Sequence, residues 1–153
     1  MTAKPLFDPS TPSPTTLSPW EGVAAVGVLM MTADEDTAPE EKDELMAFLD
    51  QQGVPPETAQ AAIHKALHVL AQEGVAALGG SACRALAHTP QAELALQLAV
   101  RMALADGFVL IEENTMLLDL ARGLGVNEAR LEPIIQAELA RDERFRSQEE
   151  LPE

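Results

Sequence analysis

Apolar residues recur along this chain at helical spacing, and no segment shows the strict alternation of a half-buried strand. From Val23 to Met31 the chain is apolar on every side, which predicts a buried helix that starts at Ser18-Pro19-Trp20-Glu21 and runs to about Ala33. That start combines a capping box with proline at the first helical position. Thr37-Ala38-Pro39-Glu40 is a second capping box, and Gly53 ends the helix it opens. Pro55 and Pro56 introduce a third helix, with Ala59, Ala62, Ile63, Ala66, Leu67 and Leu70 on one stripe. Gly74 to His88 reads as a short, irregular helix weakened by Gly79 and Gly80. Thr89-Pro90 opens a fifth helix, apolar except for Arg101 between Glu93 and Asp106. A sixth spans Ile111 to Arg122. A seventh begins near Asn127, and Pro133 is expected to kink it or mark its true start.

These elements predict an all-α, single-domain bundle of about seven helices over residues 18–145. Residues 1–17 are rich in Pro, Thr and Ser, and residues 146–153 are dominated by charge, so both ends are expected to be mobile tails. With 153 residues and 46% apolar content, the chain can build one core without a metal or disulfide staple. Aromatics are only 3%, which leaves that core to Leu, Ala, Val, Met and Ile.

A formal charge of −15, from 25 acidic and 10 basic residues, repels phosphate backbones and anionic headgroups. Nucleic acid is therefore not an expected partner. Hard cations and basic surfaces are what such a field attracts. The apolar stretch between Glu21 and Asp34 is too short to span a bilayer of about 30 Å, and no secretory signal opens the chain. The lone Cys83 forbids an internal disulfide. Together these point to a cytoplasmic protein that is not integral to a membrane.

An internal repeat is the strongest signal. At a fixed offset of 72 residues, Val28 matches Val100, Met30 Met102, Ala33 Ala105, Asp34 Asp106 and Glu41 Glu113, and the register continues through Gly53-Val54 and Gly125-Val126. Matched Asp, Glu and Gly-Val at one offset imply two related halves, about 18–73 and 90–145, packed around a pseudo-two-fold axis.

Ala105-Asp106-Gly107-Phe108-Val109, followed by Glu113, resembles the A-D-G-x-[hydrophobic]-x-x-x-E signature of the TerB-like tellurite resistance family. The first copy keeps Ala33, Asp34 and Glu41 but has Glu35 in place of the Gly and Thr37 in place of the hydrophobic residue. The resemblance implies an all-helical fold of two similar halves and a role in stress and tellurite resistance. It further implies divalent-metal binding by acidic residues and work alongside other stress proteins, calcium-binding ones among them.

Asp34, Glu41, Asp106 and Glu113 are the candidate metal ligands. Each Asp closes a buried helix, and each Glu lies seven residues later in the first turn of the next. Four carboxylates brought together by the pseudo-axis would suit calcium or magnesium. The same residue types also shape turns and cap helices. Neither copy is an EF-hand loop, which needs Gly and Glu where the first copy has Pro39 and Leu45 and the second Ile111 and Leu117. His64 and His68 stand four apart, but Lys65 replaces the Glu of a metalloprotease helix, so both read as surface residues. Cys83, beside Arg84, is either a reactive thiol or a small buried residue. No catalytic constellation, phosphate loop or dinucleotide fingerprint is present, and the chain is expected not to be an enzyme. Two functions lead, a divalent-cation site or an adaptor that uses its acidic face to bind a protein, and a thiol-dependent enzyme using Cys83 is the third and least favoured class. A homo-oligomer is compatible with either.

Overall fold

A computed structural model describes residues 7–33, 39–105 and 111–141. Seven α-helices and one 3-10 turn make up these residues: α1 (Pro19–Ala33), α2 (Pro39–Gln51), α3 (Pro56–Glu73), α4 (Val75–Leu86), α5 (Gln91–Ala105), α6 (Ile111–Leu124), the turn Glu128–Arg130, and α7 (Leu131–Arg141). Among the described residues there is no strand, so the all-α expectation holds.

The bundle is organised by α1, because a helix apolar on every side can be satisfied only at the centre. Val23 to Met31 are all buried, and α1 packs against α3, α4 and α5. Its entry is fixed by the anticipated capping box. Ser18 N–H donates to Glu21 at 2.8 Å, and Glu21 N–H donates to the Ser18 hydroxyl at 3.3 Å. Burial pushes the Glu21 carboxyl up, but the Ser18 hydrogen bonds and the Lys65 ammonium outweigh it and hold the group below its ordinary range. The second long helix, α5, buries Ala95, Leu96, Leu98, Ala99, Val100 and Met102 between α1, α6 and α7.

The 72-residue offset reappears in the element bounds. Pro19 and Gln91 start α1 and α5, Ala33 and Ala105 end them, and Pro39 and Ile111 start α2 and α6. The turns that follow are alike in detail. Gly53 and Gly125 have φ of 83° and 73°, a region open to glycine at no steric cost. Val54 N–H then reaches back to the Leu49 carbonyl at 3.0 Å, and Val126 N–H to Ala121 at 2.9 Å, closing a Schellman motif each time.

Several expectations need correction. Residues 7–17 do not hang free as a tail: Phe7 and Leu17 are buried at 2% and 5% exposure, and the segment lies as a strap on α4. Composition misleads here because prolines forbid a helix without forbidding an irregular segment packed on the helices. The strap also explains Gly80. Helix α4 is regular, and a Cβ at Gly80 would stand 2.8 Å from the carbonyl oxygens of Asp8 and Thr11. Likewise α6 runs two residues past Arg122, and a Cβ at Gly123 would overlap the Phe7 carbonyl oxygen. On α3 the buried stripe takes Val69 and leaves Leu67 43% exposed. Pro133 lies two residues inside α7, which starts at Leu131 rather than near Asn127. It falls in the first turn, where the missing N–H has no intrahelical partner to lose, and the 3-10 turn ahead of it is capped by Asn127.

Candidate functional site

Ala33 and Ala105 end α1 and α5 one residue ahead of Asp34 and Asp106, which lie outside the described residues. Glu41 and Glu113 are each the third residue of a helix, α2 and α6, and their side chains are likewise outside the described set. What is described is the frame around them. α1 packs on α5, α1 on α2, α5 on α6, and α2 on α5, so the elements that flank the acidic connections touch one another. After Glu41 the helix presents Lys42 and Asp43 to solvent, with Glu44 half-buried and Leu45 in the core.

The donor set of the four candidates is all oxygen. That chemistry suits calcium or magnesium, which prefer carboxylates, better than zinc, which favours nitrogen and sulfur. Among the described residues, no three His, Cys, Asp or Glu side chains are grouped as a metal site would require. His64 and His68 are exposed on α3.

The thiol of Cys83 is inaccessible. Its side chain is fully buried, and burial pushes the thiol from its ordinary 9.0 up to about 12, with Asp8 adding to the rise and Arg84 opposing it more weakly. A neutral, buried thiol is a poor nucleophile, so the structure lends no support to Cys83 as a catalytic group.

One polar cluster was not anticipated. Arg101 on α5 donates to Glu138 on α7 at 2.8 Å, Gln97 donates to the same carboxylate at 3.0 Å, and Arg101 also reaches Gln51 on α2 at 3.0 Å. The guanidinium carbon stands 5.0 Å from the centre of the Phe48 ring, a cation–π distance. Arg101 was visible as the one charge in an apolar helix; its partner on α7 was not. A second feature is a surface cleft of about 270 Å³ beside His88, Thr89, Val126 and Asn127, where Glu93 and Arg130 already neutralise each other at 2.9 Å.

Among the described residues, no helix is long and apolar enough to cross a membrane. The sequence profile of the family described as tellurite resistance protein TerB matches residues 21–136, which takes in α1 through most of α7. Comparison with curated proteins and with solved structures finds no further match.

Proposed function

The chain belongs to the tellurite resistance protein TerB family, and from that premise we propose that it is a non-catalytic domain binding one class of ligand, a divalent cation, at its duplicated acidic turns. Asp34, Glu41, Asp106 and Glu113 are the ligands, and calcium or magnesium is the cation. The observation that carries this reading is the shared register of the two halves. The same offset that relates the helix ends at Ala33 and Ala105 relates the two Asp residues and the two Glu residues. Carboxylates crowded at one place repel one another, and a cation held among them removes that cost. Calorimetric titration of chelator-treated protein with calcium, magnesium, manganese and zinc tests the proposal. Heat with calcium or magnesium that vanishes in the Asp34→Asn/Asp106→Asn double variant supports it. No heat with any cation removes it.

A second reading keeps the carboxylates as helix caps and makes the domain an adaptor in the stress response, holding another tellurite-resistance or stress protein on its acidic face. The charge of −15 favours it, since such a field steers basic partners. A cytoplasmic setting belongs to both readings and rests on the lone, unpaired Cys83.

A further inference from the structure

Residues 7–17 lie across α3 and α4 and reach α6 in the manner of a bound peptide. Their backbone carbonyls accept hydrogen bonds from side chains of the helices: Pro9 and Thr11 from Arg84 at 2.7 and 2.5 Å, Thr15 from Ser81 at 2.7 Å, and Thr16 from Lys65 at 3.2 Å. Contacts of this kind read a backbone whatever its side chains. Selectivity comes from two other places. Phe7 is an apolar anchor, 2% exposed, at the α6 end, and the Ser13 and Thr15 hydroxyls donate to the two carboxylate oxygens of Glu73 on α3. The floor is shaped for a backbone, since any side chain at Gly80 or Gly123 would occupy the space of the strap. Pro9 sits in a turn that Thr11 N–H closes on the Asp8 carbonyl at 3.0 Å, and Pro12 and Pro14 fix φ beyond it, a restriction that lowers the entropy lost on docking. The family match begins at residue 21, beyond the strap, and contains every helical residue named in these contacts.

We propose that the groove across α3, α4 and α6 is a peptide-docking site that residues 7–17 occupy in cis. Its partner in trans is a segment of the same chemistry: an aromatic anchor and a turn, followed by hydroxyl-bearing residues interrupted by proline, uncharged where it meets Glu73. The strap competes with that partner, so a segment docks only when it displaces the strap or finds it already released.

Cys83 is a built-in reporter. It is the chain's single cysteine, and its sulfur would stand 2.7 Å from a Cβ at Gly123, beneath Phe7. The experiment uses the full chain, a thiol-alkylating reagent, and a synthetic peptide with the sequence of residues 7–17. Wild type should label slowly. Phe7→Ala should label at least about ten-fold faster through local opening, and millimolar peptide should return it toward the wild-type rate. Gly80→Ala favours the helix itself but fills the groove, so it should label fast and gain no protection from peptide. If Phe7→Ala loses its helices by circular dichroism, Ser13→Glu decides the question, because it sets a carboxylate against Glu73 without touching the core. Loosened variants that label no faster than wild type would overturn the proposal. So would fast labelling that peptide leaves unchanged, or protection of Gly80→Ala equal to that of the loosened variants.

Discussion

Arg101 and Glu138 form an ion pair at 2.8 Å across the α5–α7 interface, with Arg101 only 13% exposed and Glu138 3%. At the 72-residue offset the first half carries Leu29 and Ala66 in their places. The pair thus has no charged counterpart 72 positions earlier in the chain. Removing one member of a buried pair strands the other charge, at a cost of about 3–5 kcal/mol, whereas replacing both with apolar groups is far milder. Glu138→Ala and Arg101→Leu should each lower the denaturant midpoint strongly, and the double variant should recover most of the loss. Additive losses in a double-mutant cycle would contradict this account.

Met30 and Met102 are 6% and 3% exposed on α1 and α5, which pack together. Truncation of either to Ala should cost about 2–5 kcal/mol. Lys65 is the contrasting case. Its ammonium bonds Glu21 at 3.0 Å and the Thr16 carbonyl, but at 38% exposure its loss should cost no more than about 1 kcal/mol. Urea melts that rank Lys65→Ala above the methionine variants would refute the packing.

Alkaline pH should weaken the fold through Cys83. Its thiol ionises near 9.0 when free and near 12 when folded, so the folded state favours the protonated form. Below the unfolded value both states are protonated and nothing is lost. As pH rises from 9.0 toward 12, the unfolded state sheds its proton first, and stability falls by up to about 1.4 kcal/mol per pH unit. Stability curves of wild type and Cys83→Ala should therefore diverge above pH 9.0 and run parallel below it. Parallel curves throughout would show that the thiol is not held neutral.

The matching bounds of α1 with α5 and α2 with α6 predict that residues 19–53 superpose on residues 91–125 by a single rotation. An experimental structure with Ala33 and Ala105 in unlike surroundings would end the idea of a duplicated unit.

Helix starts and stops were legible because caps are local. Ser18 and Glu21 satisfy each other within one turn, and Gly53 and Gly125 take positive φ whatever surrounds them. What escaped was set by contacts distant in sequence. Gly80 looks like a helix breaker until Asp8 and Thr11 are seen lying against it, and the proline-rich strap looks loose until Arg84 and Ser81 are seen holding it. Leu67 lost its place in the core because the buried stripe centres on Ala66 and is completed by Val69. Of the candidate site, the sequence supplies the residues and their register, and the helix bounds supply the frame. Asp34 and Asp106 themselves lie outside the described residues.

The most direct test of cation binding compares thermal melts of wild type and Asp106→Asn, each with chelator and with millimolar calcium or magnesium. Asp106 is chosen over Asp34 because Gly107 follows it, and glycine lets the turn adopt a positive φ that Glu35 would resist. A cation at about 100 times its Kd stabilises the folded state by about 2.7 kcal/mol, which corresponds to a rise of several degrees for a chain of this size. The account predicts that rise in wild type and none in Asp106→Asn, with the variant melting cooperatively in chelator. A wild-type melt unmoved by either cation, or a variant stabilised as much as wild type, would contradict it.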